Sequence, residues 1–254
     1  MKYSIAYTTI LTKEIRRFIR IWPQTILPPV ITTSLYFLIF GTLIGVRIGE
    51  MNGRPYMEYI VPGIIIMSVI SNAYGNVVSS FYSTKFQRHI EELLIAPVPN
   101  WVILAGYISG GVARGLTVGC VVAAISCLFS DITVQHEGIA IGVVVMTAIL
   151  FSLAGFLNAT FANSFDDISI IPNFVLTPLI YLGGVFYSIN LLPDIWQKIS
   201  MVNPILYMVN AFRYGIIGIS DIDVGVAFLV IGAFIVALTA ISLYLLRKGV
   251  GIKA

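Results

Sequence analysis

Charge is what this sequence has least of. Across 254 residues, Lys, Arg, Asp and Glu make up 11%, against 58% hydrophobic residues and a mean hydropathy of +0.94. Soluble domains carry about 25% charged and roughly 45–50% apolar residues, so a water-facing surface of ordinary composition cannot be assembled. A soluble enzyme, a disordered tail and a nucleic-acid binder are excluded. Cysteine is scarce too. Cys120 and Cys127 share one apolar run, where helical rise sets them about 10 Å apart, beyond the roughly 7 Å Cα reach of a disulfide. No redox compartment follows. His89 and His136 lack metal-ligand spacing, and no lysine follows a glycine, so the phosphate loop ending in Gly-Lys-Ser/Thr is missing. If ATP powers this protein, another chain binds it. A cleavable signal peptide is not expected, because the first apolar run starts only near Pro28, is too long and lacks a small-residue cleavage site.

Long apolar runs are what the sequence has instead: Pro28–Val46, Tyr59–Phe81, Leu104–Phe129, Ile139–Phe161, Ile171–Tyr187 and Val224–Leu246. All are near the 17–25 residues of a membrane-spanning helix, which predicts an all-α integral membrane protein. A further run, Pro204–Ile219, carries Arg213 and would rise only about 24 Å against a hydrocarbon core of roughly 30 Å. Basic residues favour the cytoplasmic side. Lys2, Lys13, Arg16, Arg17 and Arg20 precede the first run, and Arg247, Lys248 and Lys253 follow the last. Both termini are therefore expected inside, which demands an even number of crossings. Six satisfy it, with Pro204–Ile219 as a re-entrant or interfacial element on the outer side. The single membrane domain over 1–254 divides into an N-terminal helix (1–27), spans one to five (28–189), the re-entrant hairpin (190–220), and span six with a basic tail (221–254). Leu11, Ile15, Phe18 and Trp22 recur on one helical face, opposite Lys13, Arg16, Arg17 and Arg20. That is the pattern of a helix lying in the membrane interface, with Pro23, Pro28 and Pro29 expected to break it from the first span.

Several segments invite functional readings. Between spans two and three, Phe86, Ile90, Leu93 and Leu94 are spaced as one helical face, Arg88, Glu91 and Glu92 as the other, and Pro97 and Pro99 stop the helix. It is either an interfacial loop helix or a rigid lever presented to a cytoplasmic partner. Span three carries Gly106, Gly110, Gly111, Gly115 and Gly119, spacings that let helix backbones approach closely in lipid. Arg114 in the same span is expected to face the protein interior or a wet cavity, either pinning neighbouring carbonyls or contacting an anionic substrate. Polar stripes run along span two (Ser68, Asn72, Asn76, Ser79, Ser83) and span five (Asn173, Thr177, Tyr181). Because unpaired amides are costly in hydrocarbon, both stripes must face protein or water, as helix–helix glue or as a translocation path.

The amphipathic N-terminal helix, the six spans and the stretch RHIEELLIAPVP (Arg88–Pro99) resemble the permease subunits of ABC-2-type transporters. NPILYMVNAFRYGIIG (Asn203–Gly218) is similar to that family's signature region ahead of the last span. The resemblance covers nearly the whole chain and implies a type V exporter-like fold in the bacterial inner membrane. It also implies a second permease chain, as a homodimer, and two copies of an ATP-binding subunit that holds ATP and Mg. Phe86–Ala96 would be the coupling helix, Leu191–Gly218 the outer hairpin, and spans two and five the lining of the path. No catalytic, metal or cofactor residue is implied in this chain. The competing class is a stand-alone secondary transporter or channel, which often shows internal repeats with helices broken at midplane; no such repeat is found. A lipid-acting membrane enzyme would need clustered His, Asp or Glu, and only the Asp166–Asp167 pair is present.

Overall fold

The helix that carries the polar stripe of span two, Tyr56–Phe86 (α3), is the one with protein on nearly every side. In the computed structural model, 83% of its most apolar window is buried, against 11% for the first and last long helices. The structure describes residues 2–130 and 133–251, without the side chains of Lys2 and Leu94; Lys253 and Ala254 of the expected basic tail lie outside the described residues.

In chain order, α1 is Lys2–Arg20 and α2 is the continuous helical stretch Trp22–Ile48. A two-residue antiparallel ladder follows, β1 (Glu50–Met51) with β2 (Arg54–Pro55). Its turn is Asn52-Gly53, both with positive φ, the pairing that tight hairpin turns favour. Then come α3, a short α4 (His89–Ile95), α5 (Asn100–Ser126) and α6 (Glu137–Phe161). The last third holds α7 (Asp167–Tyr181), α8 (Asp194–Met201), α9 (Pro204–Ile217) and α10 (Val224–Lys248).

Among the described residues, α2, α3, α5, α6 and α10 are long and apolar enough to cross a membrane. The expected fifth span differs most from its predicted limits. Its helix starts at Asp167 and ends at Tyr181, not Tyr187, and rises about 22 Å. Pro172 and Pro178 remove two N–H groups, a wide turn spans Pro172–Leu176, and the Thr177 hydroxyl donates to the Pro172 carbonyl at 2.9 Å. The predicted proline break after the N-terminal helix is also corrected. The chain bends at Ile21 (φ −105°, ψ 32°), Pro23 sits in the first turn of α2, and Pro28 and Pro29 are carried inside it. A first-turn proline gives up an N–H that has no helical partner, and interior prolines are better tolerated in membrane helices, where other groups satisfy the freed carbonyls.

The core is built by glycines on both flanks of α3. On α5, a Cβ at Gly115 would stand 2.9 Å from the Ala73 Cβ, and one at Gly111 would strike Val77 and Ser152; on α6, one at Gly155 would stand 2.6 Å from the Tyr74 carbonyl oxygen. Of the other glycines of the span-three stripe, Gly119 also faces α3, at Val69, whereas Gly106 and Gly110 face α1, where added Cβ atoms would meet Ile10 and Glu14. One sequence stripe thus serves two interfaces. At one end of the bundle the Lys85 ammonium donates to the Thr160 and Ala162 carbonyls at 2.8 and 2.7 Å, closing α3 onto the end of α6.

Gly155→Ala should destabilise the solubilised protein by about 1–3 kcal/mol, the range for overpacking a filled site, because its obstacle is backbone. Gly142→Ala, on the same helix but with its nearest atom 3.5 Å away, should leave the melting temperature unchanged. Thermal unfolding of the two variants in one detergent checks this.

Candidate functional site

The N-terminal helix is seated by a carboxylate. Ile10, Glu14 and Phe18 are its buried residues, and Glu14 has no solvent exposure at all. Leu11 and Ile15 border a cleft against Ile108 and Val112 of α5, while Trp22 is exposed on α2. The predicted apolar face is therefore turned by about one residue, towards α5 and α3. The Ser80 hydroxyl donates to Glu14 Oε1 at 2.5 Å and the Asn76 amide to Oε2 at 3.4 Å. Arg17 and Lys13 each lie 3.5 Å from the same carboxylate. Arg17 also donates to the Asn76 carbonyl and side-chain oxygens at 2.7 and 2.8 Å and to Ser79 at 3.2 Å. Lys13 donates to Thr84 and to the Tyr107 hydroxyl, both at 3.4 Å.

The span-two stripe is thereby divided. Its half nearer α4, Asn76 and Ser79 with Ser80 and Thr84, is occupied by α1. The other half opens onto a cavity of about 330 Å³ between α2, α3 and α5, lined by Ser68, Ser71 and Asn72 together with Thr32, Thr33 and Arg114. The Ser68 hydroxyl and the Asn72 amide donate to carbonyls of their own helix. Arg114 makes no hydrogen bond or ion pair among the described residues, and its buried Nε is unpartnered. The span-five residues Asn173, Thr177 and Tyr181 lie elsewhere, exposed on the surface of the single chain. Tyr181 stacks on Phe186, which in turn packs on Tyr36 and Phe40 of α2. Ser68, Asn72 and Arg114 are thus brought together, and the span-five set is not joined to them.

Sequence reasoning overlooked a cluster at the opposite end from α4. Arg213, which entered the topology argument only as a charge, is completely buried. Its Nε donates to the Tyr59 carbonyl at 3.3 Å and its Nη2 to the Gly184 carbonyl at 2.6 Å, with the guanidinium 3.9 Å from the Tyr59 ring centre. Asp221 completes the cluster, accepting from Ser188 Oγ at 2.9 Å, the Ile189 N–H at 3.2 Å and the Tyr59 hydroxyl at 3.5 Å. Cation–π contact and carbonyl oxygens together make a buried guanidinium tolerable without an adjacent carboxylate.

The expected coupling helix is shorter than Phe86–Ala96. Phe86 ends α3, Arg88 turns the chain in the left-handed region (φ +61°), and the helix runs His89–Ile95. Ile90 is buried and Leu93 half-buried, whereas Arg88, Glu91 and Glu92 are exposed; the side chain of Leu94 lies outside the described residues. Phe86 stands free of that helix and packs edge-on against Phe165 at 5.2 Å, and Phe165 in turn against Tyr82 at 4.9 Å. The loop after α6 therefore lies beside the last turns of α3. Where that loop enters α7, Asp167 accepts from the Asn163 and Ser164 N–H groups, which hold its carboxyl below the usual carboxylate range.

A bundle of long apolar helices around a buried, glycine-flanked core is the build of an integral membrane domain. Residues 5–217 match the family model described as "ABC-2 type transporter". The chain belongs to this family and is one of its transmembrane permease subunits. It is 58% identical over 252 residues to the "Inner membrane transport permease YadH" of Escherichia coli (strain K12), covering 99% of this chain and 98% of the relative. It is 24% identical over 182 residues to "Nodulation protein J" of Sinorhizobium fredii (strain NBRC 101917 / NGR234), covering 71% and 69%. Against "Nodulation protein J" of Rhizobium leguminosarum bv. viciae it is 22% identical over 215 residues, covering 84% and 83%. Like YadH it is a multi-pass inner-membrane protein, and its family's membrane domains are not enzymes.

Glu14→Ala should weaken the fold by about 1.5–3 kcal/mol, the scale of hydrogen bonds to a charged group, because Arg17 and Lys13 keep partial access to water. Its first effect should be release of α1. Limited proteolysis at the Ile21 bend should speed up in Glu14→Ala and less so in Glu14→Gln, which keeps an acceptor for Ser80.

Proposed function

We propose that the chain is the membrane half of an ATP-driven exporter, acting as a homodimer with two copies of an ATP-binding subunit that carry ATP and Mg. The observation that carries this reading is α4. It is fastened to its own protein through Ile90, set off from α3 by a left-handed residue, and closed by extended backbone at Ala96. It turns Glu91, Glu92 and an 85% exposed Ile95 outward, beside the exposed Phe86 and Phe165. A short stiff element of this kind, with apolar and acidic groups facing away from its own fold, suits a partner that pushes on it. Arg88, Ile90, Glu91, Glu92, Leu93 and Leu94 form this coupling element, with Phe86 at its edge.

In this reading α4, both chain termini and the loop after α6 are cytoplasmic. The helix α7 is the fifth of six crossings, tilted little because it is short, and α8 with α9 makes the re-entrant hairpin of 190–220 on the outer side. The Arg213–Tyr59–Asp221 cluster supports that placement, since it fastens α9 and the loop after it to the same end of α3. The path runs along Ser68, Asn72 and Arg114, the part of the expected lining that α1 leaves open, while Asn76 and Ser79 of the same stripe seat α1; Asn173, Thr177 and Tyr181 face it across the dimer axis. Exposure of that second set on a single chain is what a dimer axis requires.

The double variant Glu91→Lys with Glu92→Lys should insert normally and lose most of the copurifying ATP-binding subunit, because like charges across a small contact are repelled. Wild-type copurification and transport would leave α4 an interfacial anchor. Reporter fusions after Asp221 and after Ala254 should score on opposite sides of the membrane; the same side for both would remove the even crossing number.

A further inference from the structure

The molecule treats three of its membrane-depth or buried arginines differently. Arg17 has Glu14, Asn76 and Ser79 around it, and Arg213 has two carbonyls and the Tyr59 ring. Arg114 sits midway along α5, where a cation is least tolerated, and has no hydrogen bond or ion pair among the described residues. It borders a space of about 330 Å³, room for a phosphate or carboxylate group and the first atoms attached to it, and the small hydroxyl side chains Thr32, Ser68 and Ser71 border the same space. The acidic group closest in the α1 network, Glu14, already has four partners. Met67, Pro28 and Pro29 give the wall an apolar part beside the polar Gln24, Thr33 and Asn72, and the rim residues Thr32 and Ser71 are exposed on the side of α2, one of the two long helices with the least protein around them. Entry is therefore sideways, from the bilayer.

We propose that this cavity binds the anionic group of a membrane amphiphile, a phosphate monoester or a carboxylic acid on an alkyl chain, with Arg114 as its charge partner and the hydroxyls of Thr32 and Ser71 as secondary donors. The assignment rests on the permease reading above and adds to its path a class of molecule. Guanidinium matches such anions in a bidentate way. The apolar wall and lateral opening select a chain-bearing anion over a free one. A ligand seated here lies against α2 and α3 at once, between the seam held by Glu14 and the end held by Arg213.

The test uses the permease copurified with its ATP-binding subunit in neutral decyl maltoside micelles, with radiolabelled dodecyl phosphate as the probe. Inorganic phosphate and dodecyl maltoside serve as competitors. Wild-type protein should bind dodecyl phosphate saturably, with dodecyl maltoside and inorganic phosphate each competing at least tenfold less well. Arg114→Gln should lower affinity about tenfold or more, as loss of one charge-assisted contact predicts, and Arg114→Lys should retain most of it. Ser71→Trp fills the cavity with Arg114 left in place and should abolish binding while the elution profile stays that of the wild type, so a misfolded Arg114→Gln would not leave the question open. Wild-type affinity in both Arg114→Gln and Ser71→Trp would overturn the site. Inorganic phosphate competing as well as dodecyl phosphate would overturn the amphiphile. Presence of the ATP-binding subunit in the same preparation scores the permease reading separately from either outcome.

Discussion

In lipid an apolar side chain gains little by exchanging hydrocarbon for protein, so helices associate where their backbones can come close and disperse contacts accumulate. That constraint organises this permease. Gly111, Gly115 and Gly119 on one flank and Gly155 on the other bring α5 and α6 against α3 at distances a single methyl would violate. With α3 enclosed, its polar side chains have protein neighbours instead of lipid, and α1, α9 and the loop after α9 acquire fixed points to attach to. The helices α2, whose one tight glycine, Gly41, meets only the flexible Met57 side chain, and α10 stay on the outside with most of their surface open.

Charges inside the bundle follow from the same enclosure, by three routes. Glu14 is neutralised by two cations and hydrogen-bonded by Ser80 and Asn76. Arg213 relies on carbonyl oxygens and an aromatic face. Arg114 has neither and borders a cavity. A buried ion pair is weak evidence for stability in itself, but each of the first two fixes which surfaces meet, and so defines a register for α1 and α9 that apolar contact alone would leave loose.

Much of this architecture was legible in the residues, because helix spans in lipid need long apolar runs and nothing else in the chain imitates them. The limits of the second, fourth and last runs moved only by a few residues. Periodicity could not resolve the fifth, where Pro172 and Pro178 shorten the helix and the apolar residues after Tyr181 form turns. The buried face of α1 lies one residue from the predicted apolar face because a carboxylate, Glu14, which apolar periodicity does not count, holds the buried position between Ile10 and Phe18. Its spacing of four from Ile10 and Phe18 was the available signal, as was the strict four-residue series Asn72, Asn76, Ser80 and Thr84 on α3. The pairing of Arg213 with Tyr59 could not be read at all, since it joins positions 154 residues apart through a carbonyl and a ring that carry no sequence signature.

The separation between Glu14 and its partners sets a schedule for biogenesis. Asn76 and Ser80 lie 62 and 66 residues downstream of Glu14, so at synthesis rates of about 5–20 residues per second they emerge roughly 3 to 13 seconds later. Throughout that interval α1 has no seat. Its carboxylate and cations remain among water and lipid headgroups, and the helix waits at the membrane surface for the second span. It can then settle fully only once α5 has been inserted, because Gly106 and Gly110 supply the other half of the groove. Although α1 leaves the ribosome before the helices it packs on, it is therefore among the later ones to reach its final place, and the bend at Ile21 is the joint on which it waits.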